Sequence, residues 1–127
     1  MVSDETLRYW IALANEEMGY SDRNDITFNY IKNVQDRSKI IVEDDWYIVM
    51  MPFEDAWGNK SLSVISSYIK PEARKNHRNF LKIHRAILLF AKEKNIKYIY
   101  QGSHLTLKFH GFLEKQGYKI ASMVKEL

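Results

Sequence analysis

Hydrophobic residues along this chain change their spacing several times, and each change marks a new element. Leu7, Trp10, Ile11, Ala14 and Met18 recur every three or four residues, the period of an amphipathic helix. Ser3 suits its N-cap, Asp4 and Glu5 complement the positive end of its dipole, and Gly19 suits its end. A shorter helix is expected from about Asp25 to Val34, with Ile26, Tyr30, Ile31 and Val34 turned inward. Beyond it the period shortens. "KIIVEDDWYIVMMPF" holds two β-rich runs separated by Glu43-Asp44-Asp45, which reads as a hairpin. Trp46 to Met51 is apolar at every position, so that strand should be covered on both faces. "SLSVISSYI" follows as a third strand after the turn Trp57-Gly58-Asn59.

Helical spacing then returns, with Phe80, Ile83, Ile87, Leu88 and Ala91 inward and Lys82, Arg85 and Lys92 outward. Lys94-Asn95 should stop that helix, because Asn tolerates the left-handed conformation at C′. "IKYIY" is a short strand, Leu105, Phe109, Phe112 and Leu113 mark another helix closed by Gly117, and "YKIASMV" is the last strand. The order α-α-β-β-β-α-β-α-β defines an α+β (or α/β) domain whose mixed sheet has about five strands, flanked by helices. No repeat, low-complexity tract or linker interrupts it, so residues 1–127 read as one domain.

Composition bounds the chemistry. With 127 residues, 46% of them hydrophobic and 28% charged, the chain can bury a core without staples. It has no cysteine, which excludes disulfides, thiolate catalysis and cysteine metal sites and fits a reducing compartment. The N-terminus is acidic and polar, unlike a signal peptide, and no apolar run approaches the roughly 20 residues of a membrane span. The expectation is a cytoplasmic chain without a membrane partner. The net charge of +3 conceals an asymmetry: residues 1–69 carry six Lys and Arg against twelve Asp and Glu, and residues 70–127 carry thirteen against four. The basic half can meet phosphate on a nucleotide cofactor, on nucleic acid or on an acidic partner.

Three classes of site find little support. His77, His84, His104 and His110 lack standard zinc spacing, so no metal is expected. There is no Gly-x-Ser-x-Gly, no Walker loop and no paired carboxylates beside a histidine on one helix face. Arg74, Lys75, Arg78, Lys82 and Arg85 form a basic run that could meet nucleic acid. Against that reading, Trp46, Tyr47, Phe80, Phe90, Phe109 and Phe112 occupy expected core positions, and no nucleic-acid module is visible.

From Leu62 onward the segments "YIKPEAR", "LLFAKEKNIKYIY" and "FLEKQGYKIASMVKEL" resemble the GNAT superfamily of acyl-CoA-dependent N-acyltransferases. The closing "GY" and the strand ending Lys-Glu-Leu are similar to small GNAT-like proteins of tailed bacteriophages, some of them virion-associated. The resemblance implies a GNAT fold, acetyl-CoA as cofactor and transfer of its acetyl group to an amine acceptor. It implies host cytosol or the virion as location if the chain is phage-encoded. In that superfamily a loop Gln/Arg-x-x-Gly-x-Gly/Ala holds the pyrophosphate with successive backbone N–H groups at a helix N-terminus. On this sequence it falls on Arg74, Lys75, Asn76, His77, Arg78 and Asn79, with His77 and Asn79 at the two glycine positions. Asn and His tolerate positive φ, and Lys75 and Arg78 can add charge, whereas two added Cβ atoms take up room.

The acid Tyr of the superfamily corresponds to Leu113, and Tyr118 is the ring that ends the motif. Tyr100 and Ser103, near the end of the strand facing the thioester region, are the candidates to replace that acid. Glu54, with Asp55, is the candidate base acting through water, although an acidic turn in solvent is the simpler explanation of both. Loss of the glycines and the acid Tyr favours an alternative, a GNAT-fold protein without catalysis that serves as a phage virion-associated or host-protein-binding structural module, its partner then a phage or host protein. An exposed strand edge leaves an oligomer open.

Overall fold

The computed structural model describes residues 2–101, 112–119, 125 and 127. The first helix, α1 (Asp4–Met18), starts where the Ser3 side chain accepts from the Thr6 amide at 3.1 Å and ends at Gly19 with φ 79°. Leu7, Trp10, Ile11 and Ala14 form its buried stripe, as the spacing predicts. A 3-10 turn (Ser21–Arg23) leads into α2 (Asn24–Val34), whose phase differs from the sequence expectation. Phe28, Ile31 and Val34 face inward, while Ile26 is 69% and Tyr30 51% exposed. Buried Asn15 locks the two helices together, its Nδ2 donating to Asn24 Oδ1 at 3.0 Å and to Thr27 Oγ1 at 3.1 Å. Because both acceptors lie on α2, they fix that helix with its 28–31–34 side toward α1.

The sheet runs β1 (Lys39–Val42), β2 (Trp46–Glu54), β3 (Lys60–Ile69), β4 (Tyr98–Gln101), in that spatial order. The first three strands are antiparallel and β4 lies parallel to β3, so the described sheet is mixed with four strands. The expected fifth strand falls mainly on residues outside the described ones. Strand β2 is covered on both sides. Trp46, Ile48 and Met50 pack with Leu62, Ile83 and Ile87 on one face; Tyr47 and Val49 pack with Leu7, Trp10, Ile11 and Phe28 on the other. Residues buried this completely each contribute about 1.5–3 kcal/mol of transfer free energy. That explains why the run 46–51 shows no polar alternation.

Strand β3 carries one extra residue. Val49 pairs with Ser66 but Met50 pairs with Val64, leaving Ile65 as a bulge. The bulge shifts the alternation by one: Leu62 and Val64 face the same core as Ile69, while Ile65 faces the core that holds Tyr68. Tyr68 thereby reaches Trp10 at a ring separation of 6.4 Å, and Ser66 reaches the buried hydroxyl of Tyr47. Burial pushes that phenol up to about 12, against a smaller lowering by its Ser66 hydrogen bond.

After a 3-10 turn at Pro71–Ala73 the chain enters α3 (His77–Glu93) and crosses back to β4. Ile83, His84, Ile87, Phe90 and Ala91 are buried; Leu88, expected inward, is 48% exposed because it sits one step off the 83–87–91 stripe. The helix stops as the sequence implies: Asn95 has φ 56°, Ile96 N donates to Ala91 O at 2.9 Å and Asn95 N to Lys92 O at 3.2 Å. Residues 112–115 are helical, and Gly117 follows with φ 91°.

Candidate functional site

Two features of the fold meet at the C-terminal end of β3. The described part of β4 ends at Gln101, opposite Val64, while β3 continues to Ile69 paired only to β2 among the described residues. Among the described residues its outer edge from Ile65 onward is therefore unpaired. Just past that edge lies the N-terminus of α3, the positive end of its dipole.

The turn between them is more tightly closed than the resemblance implies. Of its six amides, four are occupied: Arg74 N donates to Pro71 O (3.2 Å), Asn76 N to Ala73 O (3.3 Å), Asn79 N to Asn76 O (3.0 Å) and Arg78 N to Asn76 Oδ1 (3.0 Å). The Lys75 and His77 amides have no acceptor among the described residues. No residue of the turn uses positive φ; among the described non-glycine residues only Asn95 does. The chain dispenses with the glycines by starting its helix early. Asn76 caps it, and His77, Arg78 and Asn79 already form its first turn. Inside this turn lies the Asn79 side chain, 7% exposed, with Nδ2 donating to Ala73 O at 2.8 Å. The side chains of Lys75, His77 and Arg78 stand in solvent.

Arg74 points elsewhere. Its Nη1 donates to Glu17 Oε1 at 2.6 Å, its Nη2 pairs with Glu17 Oε2, and its Nε donates to Ile69 O at 2.9 Å. The guanidinium also lies 5.2 Å from the Tyr68 ring centre. The Glu17 hydrogen bonds raise its already high pKa further, so it is a fixed cation already engaged by a carboxylate. Glu17 was not singled out by the sequence, although a carboxylate in the last turn of α1, at the negative end of the dipole, is an unfavourable placement that asks for a partner.

The basic run divides in space. Lys75 and Arg78 lie at the α3 N-terminus, whereas Lys82 and Arg85 line a groove of about 510 Å³ shared with the acidic hairpin Glu43–Asp45. Lys70 N donates to Asp45 O at 2.9 Å, which holds that hairpin beside the turn. Trp46, Tyr47 and Phe90 are buried, so these rings offer no stacking surface to nucleic acid bases.

The catalytic candidates lie farther down the sheet. Tyr100 pairs with Ser63, is 40% exposed and packs against Phe53 at a ring separation of 5.8 Å. Ser103 lies outside the described residues. Glu54 is exposed and pairs with Lys60 at the start of β3, nine residues before Ile69 and so roughly 30 Å of strand from the turn. Asp55 builds the β2–β3 turn: its Oδ1 accepts from Trp57 N and Asn59 N, each at 2.9 Å. Those bonds, the Asn59 amide first, hold its carboxyl below the usual range, which suits a turn-former better than a base. Leu113 is buried at the position of the superfamily's acid Tyr. Burial raises the Tyr118 phenol, whose ring lies edge-on to His84 at 5.9 Å in a packing role. Among the described residues no cluster of His, Asp and Glu could hold a metal ion, and no helix is long and apolar enough to cross a membrane.

No family model matches the chain, and no curated protein matches it. Solved structures do. A protein from Clostridium acetobutylicum crystallised with acetyl-CoA, described as a predicted acetyltransferase, superposes with a TM-score of 0.74 at 14% identity, covering 99% of this chain and 92% of that one. A possible acetyltransferase from Clostridium difficile 630 gives 0.69 at 17% identity, covering 98% and 90%. The ribosomal-protein-alanine N-acetyltransferase of Brucella melitensis biovar Abortus gives 0.67 at 10% identity, covering 98% and 91%. The chain thus has the α+β fold of GNAT-type acetyltransferases, as the sequence resemblance implies. At these identities the likeness establishes architecture alone.

Proposed function

We propose that the protein is an acetyl-CoA-dependent N-acetyltransferase acting on an amine. The observation that carries this reading is the junction of the α3 N-terminus with the outer edge of β3, unpaired from Ile65 onward among the described residues, in a fold shared with a protein crystallised with acetyl-CoA. The residues present fit that ligand in part. The Lys75 and His77 amides, without an acceptor among the described residues, and the Lys75 and Arg78 side chains would take the pyrophosphate. The edge from Ile65 would hydrogen-bond the amides of the pantetheine arm. Bound acetyl-CoA supplies a thioester whose acyl carbon forms a C–N bond with the amine as the C–S bond breaks. In this reading Tyr100 would give the departing thiolate a proton, and Glu54 would draw the amine's proton away through water. A host-cytosol or virion setting stays part of the proposal only through the sequence resemblance.

One observation favours a second reading. Four of six turn amides are already satisfied and the Asn79 amide fills the turn's interior, as expected of a GNAT fold kept as a protein-binding module. Calorimetry and thermal unfolding with acetyl-CoA separate the two. A binder gains about 2.7 kcal/mol at a hundredfold excess over its dissociation constant. Uptake of acetyl-CoA, with thiol release in the presence of peptide or polyamine amines, supports the transferase; no thermal response at millimolar ligand removes it.

A further inference from the structure

We infer that Glu17 is a positioning residue for the cofactor turn, acting through Arg74, and that this ion pair couples the end of α1 to acyl-CoA binding. The inference rests on the acyl-CoA reading for its functional half and on geometry for the rest. Glu17 and Arg74 are 57 residues apart, yet they meet in a two-pronged contact only about one-third exposed. The Arg74 Nε bond to Ile69 O and its contact with the Tyr68 ring orient the guanidinium from the opposite side. Arg74 therefore bridges the last turn of α1, the final residues of β3 and the turn that follows.

The placement of Glu17 is costly without that partner. The last turn of α1 holds no basic residue, so Glu17 faces the negative dipole end and its neighbour Glu16. The next turn, Ser21–Arg23, begins three residues past Met18 and leads into α2. A movement of this connection reaches the Lys75 amide, which has no acceptor among the described residues, through one side-chain pair. Among the described residues no other hydrogen bond or ion pair joins residues 74–79 to α1, so losing this pair should loosen them selectively.

The test uses the whole chain, comparing wild type with Glu17→Gln and Arg74→Lys. Hydrogen exchange is measured without ligand, and coenzyme A binding by calorimetry. Glu17→Gln should speed exchange over residues 74–79 by roughly two- to fivefold, the range expected of a partly exposed charged pair. Exchange in β2 should not change. Coenzyme A affinity should fall by a similar factor, and Arg74→Lys, which keeps the charge but loses the fork, should lie between. Unchanged exchange at 74–79, or an increase spread evenly over α1, β2 and β3, overturns the inference. So does a loss of affinity with unaltered exchange. If wild type takes up no coenzyme A, the transferase reading fails, and the exchange result alone decides whether Glu17 positions the turn.

Discussion

Replacing Asn79 tests whether the turn before α3 is held from within. In Asn79→Ala the 2.8 Å bond to Ala73 O is lost, but that carbonyl keeps its weaker 3.3 Å bond from Asn76 N. The carbonyl is therefore not orphaned, and the cost stays near that of one net hydrogen bond, about 1 kcal/mol. Alanine's better helix propensity recovers a few tenths of that. Unfolding entropy of about 2.1 cal/mol/K per residue over 127 residues converts 1 kcal/mol into about 4 °C of melting temperature. Asn79→Asp keeps the shape, removes the donor and sets a buried carboxylate against the Ala73 carbonyl. It should cost about 2 kcal/mol or more at neutral pH. Its introduced carboxyl would have a raised pKa, so its deficit should shrink as pH falls through that value. Calorimetric melting of the three proteins between pH 4 and pH 8 checks the order wild type, Asn79→Ala, Asn79→Asp. Equal melting temperatures, or an aspartate variant more stable than the alanine one at neutral pH, would refute the idea that the Asn79 amide closes the turn.

Two further outcomes follow from the same coordinates. Burial lowers the His84 pKa from its ordinary 6.5, so the unfolded chain takes up a proton that the folded chain resists. Stability should therefore decline as pH falls below 6.5, and His84→Phe should flatten that slope in urea titrations; an unchanged slope assigns it to other groups. Gly19 has φ 79°, and a Cβ added there would meet nothing within 4 Å. Gly19→Ala should thus cost about 1–2 kcal/mol from conformation alone, read as a lower urea midpoint.

The sequence discloses elements wherever one local rule decides. The 7–10–11–14 stripe of α1, the doubly covered run 46–50 and the left-handed Asn95 all depend on residues adjacent in sequence or one turn away. It discloses less where a distant partner decides. Either phase of α2 has apolar residues, and the Asn15 bonds to Asn24 and Thr27 select the one that leaves Ile26 and Tyr30 outside. The segment 74–79 aligns with a glycine-based pattern, whereas Asn76 offers a cap that brings the helix start forward to His77. Arg74 carries the leading charge of that pattern, but Glu17, far away in the chain, takes it up. The bulge at Ile65 leaves no mark in "SLSVISSYI", because serine and aliphatic residues fit either face.

That single surplus residue governs how this chain can be compared with others. Against any strand lacking it, an alignment without a gap at Ile65 assigns every later β3 position to the wrong side of the sheet. Substitutions transferred to Tyr68 or Ile69 would then be judged against neighbours those side chains never touch. A one-residue deletion at 65 should be read as a rotation of the strand's second half, and length changes in this segment are tolerable only in pairs.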